Sequence, residues 1–261
     1  MNYETITLKE DAKGIATLTL NRADKRNAMN SEMCTELSAA ATEINASNSI
    51  RVVVLTGAGD SFCSGGDLEW MQAQFNADRE TRMNEARKIA VALNDLNTLD
   101  KPLIGRINGS AMGGGLGLVS VCDAAIMNED AKCGFTETRL GLVPATISPY
   151  VMARMGEGAA RRVFMSARIF DGWEAQSLGL VAKAVPEDAL DFAIEDECRP
   201  YLGCAPEAVT AAKKLARSLG LHIDEEVIER TITLLADTWE TQSAQEGVKG
   251  FLDKSPPAWA K

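Results

Sequence analysis

An α/β fold with a helical C-terminal region is what the sequence predicts, on three observations. Strand-length apolar runs alternate with helical stretches through the first two-thirds of the 261-residue chain. Two of the strands lead into glycine-rich turns that open helices, FCSGGDLEWM at 62–71 and INGSAMGGGLGLVSVCD at 107–123. From about Ala205 the pattern shifts to long amphipathic helices. The weak recurrence of strand–turn–helix units suggests a repeated ββα layout. We therefore expect a core over 1–200 and a helical region over 201–261 that mediates oligomerisation.

The elements follow from local signals. Ile15–Arg22 alternates apolar and polar residues and reads as a strand, followed by a turn at Ala23–Arg26. Asn30 or Ser31 caps a helix whose apolar positions are Met33, Leu37, Ala41 and Ile44. Val52–Thr56 is continuously apolar, as in a strand buried on both faces. A long helix is expected over 76–99, then strands at 102–107 and 124–127. Asp171-Gly-Trp-Glu174 resembles a capping box, closed by Gly179. The late helices span 206–219, 224–238 and 243–252, and Pro256-Pro257 stops the last.

Composition excludes several classes of function. Hydrophobic residues make up 46% and charged residues 25%, a globular balance rather than a disordered one. A net charge of −10 argues against nucleic-acid binding through a general basic field. Six cysteines are scattered without a CxxC pair and His222 is the only histidine, so spacing supports no Cys/His metal site. Free cysteines suggest a reducing compartment. No apolar run reaches membrane-span length, and the N-terminus has no apolar signal core or Arg-rich transit pattern. The expected location is cytoplasmic.

The chemistry starts from Gly113-Gly114-Gly115. Each glycine in a helix costs about 1 kcal/mol relative to alanine, so three at the mouth of a buried helix imply close approach of something to the backbone. A helix N-terminus offers unpaired N–H groups that suit an oxygen carrying negative charge. The earlier Gly65-Gly66 turn is a second donor arrangement. Two such turns can aim one N–H each at a single oxygen, forming an oxyanion hole suited to acyl chemistry. Glu137, an isolated carboxylate in CGFTETRLGLVP, fits a general acid or base of raised pKa. The alternative is a surface glutamate paired with Arg139 or Arg168. Asp67 reads as the first-turn acid of a helix and Asp123 as a structural carboxylate held by backbone N–H groups.

These motifs together resemble the enoyl-CoA hydratase/isomerase (crotonase) superfamily over essentially the full chain. NRADKRNAMN, 21–30, resembles the loop that borders the coenzyme A nucleotide, which implies ligand contacts at Arg26 and Ala28. FCSGGDL resembles the first oxyanion motif, with Ser64 as donor and Gly65, Gly66, Asp67 and Leu68 beside the ligand. KPLIGRINGSAMGGG resembles the second, with Gly114 as donor, and FTETRLGLVP makes Glu137 the catalytic acid. EGVKGFLDKSPPAW resembles the closing helix, implying CoA contacts at Phe251 and Lys254.

The resemblance implies a crotonase spiral of ββα units, an acyl-CoA thioester as partner, no cofactor beyond the CoA of the substrate, and a homotrimer or dimer of trimers. The sequence departs from the two-glutamate hydratases at Gly117, where they carry an acid. Thr136 replaces their usual proline, and Pro144–Pro149 replaces a glycine-rich turn. These departures resemble bacterial methylglutaconyl-CoA and carboxygeranoyl-CoA hydratases; the single carboxylate also resembles 3,2-enoyl-CoA isomerases. Hydration of an enoyl-CoA is the first expectation, isomerisation the second, and non-catalytic acyl-CoA binding the third. A distal carboxylate on a branched substrate would call for Arg139 or Arg154, residues otherwise expected in surface or structural pairs.

Overall fold

A computed structural model describes residues 2–260. Six strands form one sheet in the order β1 (Ile6–Glu10), β2 (Ile15–Leu20), β3 (Val52–Gly57), β5 (Leu103–Ile107), β7 (Ala124–Asn128) and β9 (Lys183–Val185). Only the β1–β2 pair is antiparallel. A second, parallel sheet holds β4 (Ser61–Cys63), β6 (Ser110–Met112) and β8 (Cys133–Gly134). The chain alternates between the sheets and then turns into a helix: β3–β4–α2 (Leu68–Asn76), β5–β6–α4 (Gly114–Val121), and β7–β8–α5 (Ser148–Phe164). This is the expected ββα spiral.

Both faces of β3 are covered, as its unbroken apolar run predicts. Val53 and Leu55 pack with Met33 and Leu37 of α1 (Ser31–Ala46) and with Leu93 and Leu96 of α3 (Arg79–Asn97). Val52 and Val54 pack with Leu190, Ile194 and Cys198 of α7 (Leu190–Leu202). Asn30 caps α1 by accepting the Met33 N–H at 3.0 Å.

The single helix expected over 76–99 is two helices. Ala77 leaves the helical region at ψ 160°, and Asp78 caps a new helix by accepting the Thr81 N–H. The capping box at α6 (Gly172–Ser177) is half formed. Asp171 accepts the Glu174 N–H, but the Glu174 carboxylate turns to Arg168 instead. Helices α5 and α7 were absent from the expectations; α7 carries Pro200 inside it, a residue that usually marks an end.

The late helices are α8 (Pro206–Leu219), α9 (Glu225–Trp239) and α10 (Gln242–Leu252), close to the expected spans. Two of them fold back over the core. Ile232 of α9 packs on Ala86 and Ala90 of α3, joined by an Arg87–Glu229 ion pair. Helix α10 lies against Leu140: a Cβ at Gly247 would sit 2.5 Å from the Leu140 carbonyl. Among the described residues no helix is long and apolar enough to cross a membrane.

Candidate active site

The site lies where the three parallel strands of the small sheet end side by side. Pairing of Cys63 with Ala111 and of Met112 with Gly134 sets their C-terminal ends together. The loops that leave them, 64–66, 113–114 and 135–137, are therefore neighbours. Gly113 N–H donates to the Gly134 carbonyl at 2.9 Å and ties two of them. Gly65, at φ 94°, adopts a conformation that side chains disfavour, and a Cβ there would approach the Met112 carbonyl at 3.1 Å.

Backbone pairing decides which amide of the first loop is available. Ser64 N–H donates to the Arg26 carbonyl at 3.0 Å, Met29 N–H to the Gly65 carbonyl, and Asp67 N–H to the Met29 carbonyl. The Ser64 amide assigned from the motif is thus already engaged. In such a bridge the amides alternate in direction, so the Gly66 N–H points away from Met29. It has no acceptor among the described residues. Of the amides in this loop, the one left open is that of Gly66 and not that of Ser64. Gly114, the first residue of α4, keeps one of the orphan N–H groups of a helix start.

Glu137 opens a short 3₁₀ turn, Glu137–Leu140. A Cβ on Gly113 would lie 3.0 Å from Glu137 Oε1, so the absence of a side chain at 113 is what lets the carboxylate in. The other oxygen, Oε2, is sealed and lacks a hydrogen-bond partner among the described residues. Burial pushes the carboxyl up from 4.5 to about 7. Pairing with Arg168 is ruled out, because Arg168 grips both oxygens of Glu174 at 2.6 Å.

These groups face a cavity of about 390 Å³, walled by Met29, Trp70, Met71, Ile89, Val143 and Trp239 among others. Among the described residues, Glu137 is its one acid and Arg139 its one cation. A neighbouring cavity of about 780 Å³ is lined by Leu68, Lys254 and Trp259 and shares Arg139, Leu140 and Phe251 with the first. Phe251 thus borders both cavities and Lys254 only the second, from within one chain. Arg26 and Ala28 line neither cavity; Arg26 contributes its carbonyl to the loop, and Ala28 is buried. Arg154 donates to the carbonyls of Asp123 and Ser120 and is outside the site.

Asp67 is not free for a ligand. Its Oδ1 caps α2 through the N–H groups of Glu69 and Trp70, and its Oδ2 pairs with Arg22 at 2.9 Å. Burial alone would raise its carboxyl, but the Trp70 N–H and the Arg22 guanidinium outweigh burial and hold it below the usual carboxylate range. Asp67→Ala should therefore lower stability by about 2–3 kcal/mol, since it leaves a half-buried arginine without its carboxylate and uncaps α2. Urea unfolding checks this; a loss under 1 kcal/mol refutes it. Asp123 is structural as expected, but accepts one backbone N–H, from Leu103, together with the Lys213 ammonium. Asn27, buried in the left-handed region at φ 54°, went unnoticed in the sequence. Its amide ties Arg22, Ala58 and Ser61 and shapes the loop that engages Ser64.

The position of the missing second acid is filled. A Cβ on Gly117 would lie 2.5 Å from Ile147 Cγ2 and 3.0 Å from Ile147 Cβ. The segment Pro144–Pro149 inserts Ile147 where a longer side chain at 117 would run, so the two departures from the two-glutamate pattern are one structural change.

A parallel-strand spiral with glycine turns and a buried carboxyl at one sheet edge places the chain among crotonase-type proteins. The profile of the enoyl-CoA hydratase/isomerase family matches residues 10–261, and the chain belongs to that family. It is 31% identical over 260 residues to a crotonyl-CoA hydratase of Syntrophomonas wolfei, covering 97% of each chain. It is 30% identical to the mitochondrial methylglutaconyl-CoA hydratase of Mus musculus, covering 97% of this chain and 81% of that one. The crystal structure of an enoyl-CoA hydratase from Shewanella pealeana superposes with a TM-score of 0.80 at 32% identity, covering 98% and 96%.

Proposed function

We propose that the protein adds water across the 2,3 double bond of an enoyl-CoA thioester, with Glu137 as the sole acid and base. The observation that carries this reading is the Glu137 carboxyl, whose Oε2 is sealed and without a partner among the described residues, beside two glycine amides without acceptors. The Gly66 and Gly114 N–H groups hold the thioester oxygen. As charge grows there, preorganised donors favour the enolate; loss of one such donor costs about 3–4 kcal/mol in other systems. Glu137 takes a proton from water as the water oxygen bonds to C3. The same carboxyl then returns the proton to C2, since no second acid lines the cavity among the described residues.

The chemistry of the acyl group follows from the walls. They are mostly apolar, with Arg139 as the single cation. A distal carboxylate paired with Arg139 fits this and parallels the methylglutaconyl-CoA relatives. We extend the reading to assembly: exposed Met165, Phe192 and Leu219 suit association of copies into the trimer or dimer of trimers that the resemblance implies.

Incubation with crotonyl-CoA, 3-methylglutaconyl-CoA and a 3-enoyl-CoA tests the reading through the conjugated 2-enoyl absorbance. Loss of absorbance with either of the first two supports hydration, and preference for the second supports Arg139 as the carboxylate partner. A gain with the third and no loss with the others replaces hydration by isomerisation, which one carboxylate also permits. No change with any of them points to binding without turnover.

A further inference from the structure

We propose that the hydroxyl of Thr146 is the second ligand of the attacking water, in place of the acid missing at position 117. This rests on the hydratase reading. Water positioned for attack on C3 needs a fixed orientation, and one carboxylate fixes it about one axis only. In a site with a single acid, another hydrogen-bonding group must supply the second contact.

Three observations select Thr146. First, it lines the reaction cavity on the segment that carries Ile147, whose side chain covers the face of α4 at Gly117. Gly117 N–H bonds back to the Gly113 carbonyl, so Gly117 stands one helical turn, about 6 Å, from the glycine that abuts Glu137 Oε1. Thr146 therefore enters the cavity on the flank where a second acid would project.

Second, Thr146 is 7% exposed, yet its hydroxyl has no hydrogen-bond partner among the described residues. Buried hydroxyls are normally satisfied. Third, its oxygen is not among the sealed polar atoms, which are Gln74 Oε1, Asn97 Nδ2, Glu137 Oε2 and Tyr150 Oη. An unpartnered, unsealed oxygen on a nearly buried residue that lines the cavity is placed to meet a water there. Thr136, the other threonine there, is more exposed and directs its methyl toward Gly134, where a Cβ would lie 3.2 Å from it.

The balance is that of simple hydration. The water oxygen forms the bond to C3 and the C2–C3 π pair moves toward the thioester oxygen. One water proton passes to Glu137 and from there to C2. Thr146 gains and loses no proton overall; its oxygen and the Glu137 carboxylate fix the water between them.

Two variants and two reactions test the assignment. Thr146→Val keeps the shape and removes the hydroxyl; Thr146→Ser keeps the hydroxyl. Hydration of crotonyl-CoA by Thr146→Val should lose about 10- to 100-fold in kcat with KM changed less than twofold. Thr146→Ser should recover to within about threefold of wild type. Exchange of the C2 protons of butyryl-CoA in deuterated water needs Glu137 and the oxyanion amides but no added water, so Thr146→Val should exchange at the wild-type rate. A wild-type kcat for hydration in Thr146→Val overturns the assignment. So does an equal loss of hydration and exchange, which marks a merely structural role. A wild-type enzyme that exchanges C2 protons yet hydrates no enoyl thioester overturns the hydratase reading, and this assignment with it.

Discussion

Glu137→Gln should lose at least about 10³-fold in turnover, keep CoA-thioester binding, and become more stable than the wild type above pH 7. Both effects have one cause. Burial raises the carboxyl from 4.5 to about 7. The unfolded chain releases this proton near 4.5, whereas the folded chain holds it to about 7. Folding is therefore opposed as pH rises through that window, and the full penalty stands above it. At about 1.4 kcal/mol for each pH unit of displacement the ceiling is about 3 kcal/mol. A glutamine carries no charge to bury, although its N–H groups lack partners and trim the gain. Urea unfolding at pH 4 and pH 8 checks the result: near-equal stabilities at pH 4, and the variant ahead at pH 8. Hydration should show an acid limb centred near pH 7 in kcat/KM, since only the carboxylate accepts a proton from water. Retained turnover in the variant, or a wild type whose stability does not fall relative to it across this window, would falsify the role given to Glu137.

The second large effect is at Gly117. Alanine in a helix is ordinarily worth about 1 kcal/mol over glycine. Here the added Cβ meets Ile147 at 2.5 Å, and Leu93 at 3.4 Å closes the other side. Overpacking of this kind costs about 1–3 kcal/mol, so the sign reverses and Gly117→Ala destabilises. Ile147→Ala alone should cost about 2–5 kcal/mol through the cavity it opens. Together the two changes should cost less than their sum by about 1–2 kcal/mol, because each relieves the other. Additive losses would show that Ile147 does not occupy the space of the missing acid. By the same argument Gly117→Glu alone should fold poorly, and a second carboxylate becomes tolerable only once residue 147 is small.

Much of this was legible before any coordinates. Met33, Leu37, Ala41 and Ile44 lie on one helical face, and all are buried. The apolar run of β3 and the start of α1 at Asn30 or Ser31, where Asn30 is the cap, were equally plain, because each signal is local. Glu137 stood out as a lone acid among small and apolar neighbours, and it is the lone acid of the cavity. What failed was set by contacts distant in sequence. Ala77 and Asp78 break the expected helix because α2 and α3 pack on different surroundings, which periodicity does not encode. Ser64 was chosen by motif position, yet its amide belongs to Arg26, 38 residues away. Asp67 reads as a helix-start acid, and it caps α2, but nothing near it in sequence announces its pairing with Arg22. The filling of the second acid's place by Ile147 joins residues 30 apart and has no signature in either segment alone.

The zipper between 26–29 and 64–67 makes the first oxyanion donor a matter of parity. Along an extended backbone the direction of an amide alternates with each residue. Apart from Gly65, whose φ of 94° disfavours a side chain, substitutions around Gly66 leave that pairing intact. Insertion or deletion of one residue between Ser64 and Asp67 shifts the count by one and turns a carbonyl toward the cavity where an amide had been. An oxygen bearing charge would then face like charge rather than a donor. The length of the first glycine turn thus matters to the donor before most of its letters do, and drift in this stretch should run through substitutions and not through gaps.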